Sequence, residues 1–342
     1  MTGRPLTFLV PEGIDDPSRV SGGNVYDRRV RDGLGSRGWR VTTVEARDAG
    51  RAAAVLREAP GGTTVLVDGL VALWAPEAIA EVAARARTVI LAHMVAAAFP
   101  DATAPTVDAE RRALTAADHV VVTSRWTVDE LRRRGLAEPG RVTVASPGVD
   151  VPAAEPSSET REEPPRLDLL CVGVVAPHKG QDVLLAALDR LRGRGWTCRI
   201  VGSSRPFGAF ASSVSRDAQR FSGRVLLTGV LDGPELAKEY RRSALLVAPS
   251  RVESSGMAIA EARGHGVPVL AAEVGGIPDT VAGGGAVLVP PDDPVALAAA
   301  LDAWMMDPAL RRRLRAEARA ARAGLPTWAG TVAAVAGALE AS

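Results

Sequence analysis

Two carboxylates frame the segment Glu253-Ser-Ser-Gly-Met-Ala-Ile-Ala-Glu261, which follows the apolar run Ala244-Leu-Leu-Val-Ala-Pro249. The run reads as a buried strand. The spacing predicts a helix that starts near Ser255 and carries Glu261 about two turns in. Gly256 lets the backbone approach a ligand closely at that helix start. Exposed N–H groups at a helix N-terminus suit an anion, and carboxylates accept hydrogen bonds from hydroxyls. A molecule that combines a phosphate with sugar hydroxyls, a nucleotide sugar, would use both. A helix-dipole carboxylate plus a second one placed by chance gives the same pattern, so the neighbouring loops must decide.

After the first strand, Ser21-Gly22-Gly23-Asn24 opens a helix with two glycines, which suits close approach to a phosphate or sugar; a loop that merely needs small residues reads alike. His93 ends the fourth strand, where it serves either a site or the fold. In Gly173-Val-Val-Ala-Pro177-His178-Lys179-Gly180, Lys179 beside a glycine at a helix start can set an ammonium against a diphosphate as a point charge. It is not a P-loop, because no GxxxxGK[ST] pattern precedes it. Gly202-Ser-Ser-Arg205-Pro-Phe207 and Gly229-Val230-Leu231 offer backbone groups and apolar side chains for a flat base, or are ordinary turns. No GxGxxG follows a strand, and Gly283-Gly284-Gly285 precedes one, which argues against a dehydrogenase.

Short apolar runs alternate with longer amphipathic ones, and that pattern positions these loops. Strands are predicted at Leu6–Val10, Arg40–Val44, Thr64–Val67, Thr88–Ala92, His119–Thr123 and Val142–Ala145. Helices such as Gly23–Gly38, Ala75–Arg87 and Arg125–Arg134 separate them. Val151 to Pro165 is rich in Pro, Ser and Glu without periodicity and reads as a linker. A second series follows, with strands at Leu167–Val172, Thr197–Val201, Arg224–Leu227, Ala244–Ala248, Val267–Ala271 and Ala286–Val289. Its helices include Gly180–Arg192, Pro234–Arg242 and Ser255–His265. The expectation is an α/β chain with two doubly wound domains, at 1–150 and 166–325, joined by a linker at 151–165. From Pro294 the chain is almost wholly helical until Pro326, and a last helix lies within 326–342. In such sheets ligands bind beyond the C-terminal strand ends, where the glycine, lysine and carboxylate loops fall.

The 342 residues suit roughly two domains of about 150, and 46% hydrophobic residues suffice for two cores. A net charge of +1 gives no electrostatic case for nucleic acid or an anionic membrane. The clusters Arg132–Arg134 and Arg311–Arg313 read as solvated helix faces, so any membrane contact is at most peripheral. Cys171 and Cys198 sit in apolar runs as buried thiols, and no Cys/His spacing suggests a metal. The N-terminal apolar stretch is too short for a signal peptide, and no run of about 18 apolar residues exists. The expectation is a cytoplasmic protein.

The ordered series Val172-Gly173…Lys179-Gly180, Ala248-Pro249-Ser250…Glu253-Ser-Ser-Gly256-Met257…Glu261, Gly266-Val-Pro-Val, Gly275-Gly276-Ile277-Pro278 and Pro290-Pro-Asp292 resembles the family-four retaining glycosyltransferases of the GT-B fold. Gly22-Gly23-Asn24 and His93 match that family's glycine loop and active-site histidine. The resemblance spans nearly the whole chain. It implies that Glu253 binds donor-sugar hydroxyls, that backbone around Ser255, Gly256 and Met257 contacts sugar and diphosphate, and that Glu261 holds the ribose. Lys179 would neutralise the leaving diphosphate, Gly22 and Gly23 would contact donor phosphate, and His93 would sit near the transferred sugar. Arg205 and Val230 would complete the donor side. The final helix would return to the N-terminal, acceptor-side domain. A nucleoside-diphosphate sugar is the implied partner, with no cofactor and no metal. Relatives commonly carry arginine where this chain has Val174, so a nucleotide-sugar-binding protein with weakened catalysis is the alternative, and a GT-B sugar-nucleotide epimerase another. Loops 94–107 and 11–22 shape the acceptor side; Phe99 and the alanine-rich Val95–Ala98 read equally as an apolar wall or a packed loop. The acceptor, the donor's base and sugar and the oligomeric state stay open.

Overall fold

The computed structural model describes residues 3–152 and 167–341, so the expected linker lies outside them apart from Val151 and Pro152. The chain falls into two compact units, Met1–Gly148 with Pro326–Ser342, and Val149–Leu325. The first unit is built on β1 (Arg4–Pro11), β2 (Trp39–Ala46), β3 (Thr64–Asp68), β4 (Arg87–Ala92), β5 (His119–Val122) and β6 (Val142–Val144). They form a six-stranded parallel sheet in the order β2-β1-β3-β4-β5-β6. Successive side chains on a strand face opposite ways. Leu6, Phe8, Leu66, Val89 and Leu91 therefore fill one core layer, and Leu9, Val65, Val67 and Ile90 the other. Both faces are covered, which is why the central strands are almost purely apolar.

The second unit repeats the plan with β7 (Leu167–Val172), β8 (Trp196–Val201), β9 (Val225–Gly229), β10 (Leu245–Ala248), β11 (Val269–Ala272) and β12 (Ala286–Val289). Its parallel order is β12-β11-β10-β7-β8-β9. Cys171 and Cys198, on neighbouring strands, are buried free thiols, and burial pushes both thiol pKa values up.

Several helices differ from their sequence spans; the one expected over Gly180–Arg192, for instance, covers Gln181–Asp189. The helix expected from Ser255 starts at Met257, so Glu261 stands little more than one turn in rather than two. Gly256 is left-handed, φ +69°, which interrupts helical backbone just before Met257. The stretch expected to run to Arg87 ends at Ala83. There Arg85 turns away to donate to the Leu56 and Arg57 carbonyls, 3.0 and 2.7 Å, at the end of the helix Ala49–Glu58. The helix expected over Gly23–Gly38 covers Gly22–Leu34, capped by the Ser21 side chain; a 3-10 turn at Gly35–Arg37 follows, and left-handed Gly38 stops it. The last helix, Trp328–Glu340, packs within the first unit, on helix Gly22–Leu34.

Each sheet changes direction once. The order reverses between β1 and β3 in the first unit and between β7 and β10 in the second. Open parallel sheets bind ligands at that crevice, beyond the strand ends.

Candidate active site

In the second unit the switch-point loops follow β7 and β10, and they bring Lys179 onto Glu253. Lys179 Nζ lies 2.6 Å from Glu253 Oε2, and the Gly256 N–H donates to Glu253 Oε1 at 3.1 Å. Burial works to raise the Glu253 pKa, but Lys179 and the Gly256 N–H outweigh it and hold the carboxyl below its ordinary value. Close backbone approach fixes the loops. A Cβ on Gly180, φ +67°, would lie 2.0 Å from the Pro249 oxygen, and one on Gly275, φ +57°, 1.7 Å from the Glu253 oxygen. Arg251 ties the two loops together. Its guanidinium grips both Asp182 oxygens at 2.9 and 2.8 Å and the Pro177 carbonyl at 2.7 Å, and its own N–H reaches the His178 carbonyl at 2.7 Å.

Glu261 occupies the same helix but has its own support. The Tyr240 hydroxyl donates to Glu261 Oε2 at 2.7 Å, and Tyr240 stacks on His265 with ring centroids 5.1 Å apart. Met257 opens the helix, and the Ser255 carbonyl accepts from Thr280 Oγ1. Arg205 lies exposed in the loop after β8, its N–H on the Ser203 hydroxyl, and half-buried Val230 follows β9. Val174 offers no donor from its side chain; its carbonyl accepts from Gln181 Nε2 at 3.0 Å.

In the first unit three segments converge on His93. Helix Gly22–Leu34 buries Tyr26, Val30 and Leu34, each four residues on, with Asp27 beside them three residues before Val30, so a carboxylate sits on an apolar stripe. Asp27 Oδ1 lies 2.8 Å from His93 Nε2, and Asp68 Oδ2 lies 3.1 Å from the same nitrogen. The other Asp68 oxygen caps the helix Gly69–Trp74 through the Leu70 and Val71 N–H groups. Asp27 Oδ2 is buried with no hydrogen-bond partner among the described residues. Gly23 packs next to the ring, and a Cβ there would meet His93 Cδ2 in ordinary contact at 3.4 Å. Gly22 is exposed at the helix start. Burial alone would lower the His93 pKa, but Asp27 and Asp68 outweigh it and raise it. Burial, with Asp68 adding to it, raises Asp27 against the opposing pull of His93. The three side chains offer ligand atoms within 4.8 Å of one another, a spacing a cation could use. Both carboxylates converge on one imidazole nitrogen, so a shared proton satisfies them. Asp27, Asp68, Tyr240 and Arg251 were not singled out from the sequence. The four-residue step from Gly23 to Asp27 and the aspartate before Gly69 were the available signals.

Two Rossmann-like units, each on a six-stranded parallel sheet of this topology, place the chain in the GT-B class. Residues 166–307 match the family described as Glycosyl transferases group 1, and residues 64–152 match Glycosyltransferase Family 4. The chain belongs to these group 1, family 4 glycosyltransferases. Among its relatives are D-inositol 3-phosphate glycosyltransferases of Streptomyces bingchenggensis, 32% identical over 60% of this chain and 49% of the relative, and of Streptomyces avermitilis, 34% over 61% and 49%. The chain thus spans about half the length of these curated relatives. Similar folds include sucrose-phosphate synthase from Thermosynechococcus elongatus, with a TM-score of 0.79, 22% identity and 96% of each chain covered. Anabaena Alr3699/HepE in complex with UDP-glucose gives 0.77 at 17% identity, over 98% of this chain and 99% of that one.

Proposed function

We propose that this chain is a retaining, metal-independent glycosyltransferase that moves a sugar from a nucleoside-diphosphate sugar to a cytoplasmic acceptor. The Lys179–Glu253 contact at the β7/β10 switch point carries the reading, because it sets one cation and one carboxylate where a diphosphate and a sugar would meet. The bond from the anomeric carbon to the diphosphate breaks as a bond to the acceptor oxygen forms on the same face. Negative charge grows on the leaving diphosphate, and the Lys179 ammonium and the N–H groups around Gly256 and Met257 stabilise it. Glu253 retains lone pairs for sugar hydroxyls beyond its two internal bonds. Glu261, oriented by Tyr240, holds the ribose. His93 sits by the transferred sugar, and the departing phosphate takes the acceptor's proton. Convergence of Asp27 and Asp68 on His93 supports a proton rather than a metal in that cluster. Since Anabaena HepE was crystallised with UDP-glucose, uridine diphosphate sugars head the donor panel.

The test is calorimetric binding and diphosphate release across a panel of nucleotide sugars and acceptors, with chelator added in a parallel series. Turnover is expected to survive the chelator and to give a product of unchanged anomeric configuration by NMR. Lys179→Ala is expected to lower kcat by about 10²–10³. An inverted product, or no donor bound or consumed, would overturn the proposal. Val174 supports a second reading, donor binding without transfer; it predicts tight donor binding with Lys179→Ala leaving the cellular role intact.

A further inference from the structure

The first unit encloses a pocket of about 270 Å³ beside His93 and Asp68. Its walls come from the helix Gly69–Trp74, the turn after β4 and the helix Ala104–Ala116, and include Leu70, Leu73, Met94, Phe99 and Leu114. Resting on the transferase reading above, we propose that this pocket receives the acceptor through a neutral, largely apolar ring and directs its hydroxyl toward His93. A phosphorylated polyol does not fit it.

Three polar side chains line the pocket, and each is engaged. Asp68 holds helix N–H groups and His93. Glu110, 3% exposed, accepts the Ala96 and Ala97 N–H groups at 2.6 and 2.8 Å, one on each oxygen. What these leave to a ligand hydroxyl is the second His93 ring nitrogen and the spare carboxylate lone pairs of Asp68 and Glu110, in a lining whose other side chains are all apolar. A polyol would leave most of its hydroxyls facing hydrocarbon, and unpaired buried polar groups are disfavoured. A phosphate would face two carboxylates against the single His93 imidazole, and no lysine or arginine stands among the described lining residues. An apolar ring meets the opposite conditions. Leu70, 51% exposed, supplies apolar surface at one wall that an apolar ligand would cover. Size agrees: a cavity of about 150 Å³ accommodates benzene, so this one holds one ring or two fused rings.

The test measures binding to the full chain without donor, by saturation-transfer NMR and calorimetry. The probes are cyclohexanol, phenol and indanol, set against myo-inositol 1-phosphate. The ring alcohols are expected to bind saturably at one site, and the inositol phosphate neither to bind nor to displace them. Leu70→Arg at the exposed position and Phe99→Ala, both checked for native melting, are expected to weaken ring-alcohol binding at least about tenfold, the loss of one buried large apolar contact. Inositol phosphate binding at this site, or ring-alcohol binding unmoved by both variants, overturns the inference. Donor turnover without ring-alcohol binding overturns it while leaving the transferase reading intact. Ring-alcohol binding lost in the variants, with no donor ever turned over, upholds the pocket and overturns the transfer.

Discussion

One imidazole nitrogen shared by two carboxylates makes His93 a cation at neutral pH, and that changes what it can do. A histidine that already carries both protons donates hydrogen bonds and cannot act as a base. The pH dependence follows from the sign of the shift. His93 rises from 6.5 to about 10 in the folded chain, through Asp27 and Asp68 acting against burial. A raised folded value means that its stabilising contribution is full below pH 6.5 and is lost as pH climbs toward 10. Asp27→Asn removes the nearer carboxylate, 2.8 Å away. The His93 midpoint followed by NMR is expected to fall by about 1–3 pH units, and melting of the first unit should lose much of its decline between neutral and alkaline pH. A variant whose His93 titrates like the parent would mean that Asp27 does not hold the proton.

Loops carry the proposed donor site, and their shape depends on positions where no side chain fits. Gly275 is the sharpest case, because its missing Cβ makes room for the Glu253 carbonyl, which accepts the Gly276 N–H at 3.0 Å. Gly275→Ala adds left-handed strain of about 1–2 kcal/mol and a clash that must push Glu253 aside. Gly223→Ala is the control, since Gly223 has φ +84° and nothing within 4 Å of an added Cβ. Both variants are expected to lose stability in denaturant titration, but only Gly275→Ala should lose donor affinity, by more than about tenfold for a displaced charged contact. Equal donor affinity in the two variants would detach Gly275 from the site. The same loops show what the sequence could express. Strand periodicity located all twelve strands to within two residues at most ends, and the runs Lys179-Gly180 and Glu253 to Glu261 were visible as motifs because their chemistry is local. The Asp27, Asp68 and His93 cluster was not. Its members lie on three segments that meet only because β1, β3 and β4 are neighbours in the sheet, and no local spacing encodes that order. The start of the helix at Met257 was missed for a related reason: it depends on the backbone conformation of Gly256, which glycine permits but does not announce.

Across the whole molecule each unit has its own core, and the first is completed by a helix from the far end of the chain. Trp328–Glu340 buries Val332, Val335, Ala336, Ala338 and Leu339 in the core that also holds Phe8, Tyr26 and Val30. Two close approaches show how specific that seat is. A Cβ on Gly33 would meet Val332 Cγ2 at 2.5 Å, and one on Gly148 would meet the Trp328 nitrogen at 2.1 Å. Arg87 donates to the Ala338 and Leu339 carbonyls at 2.7 and 3.0 Å, and Thr331 Oγ1 to the Ser146 carbonyl at 2.7 Å, so the helix is hydrogen-bonded at both ends to this unit. Each fully buried valine or leucine contributes about 1.5–3 kcal/mol, and a domain's net stability is about 5–15 kcal/mol. Removing residues 326–342 therefore takes away most of what keeps the first unit folded, while the second unit, Val149–Leu325, loses none of its own core. Calorimetry of the truncated chain is expected to show the second unit's transition at its original temperature and the first unit's lost or lowered well below it. Hydrogen exchange should assign the newly exposed amides to β1, β5 and the helix Gly22–Leu34, which lose their partner in this core. Equal destabilisation of both units, or protection of the first unit unchanged by the deletion, would overturn this assignment of the helix's role.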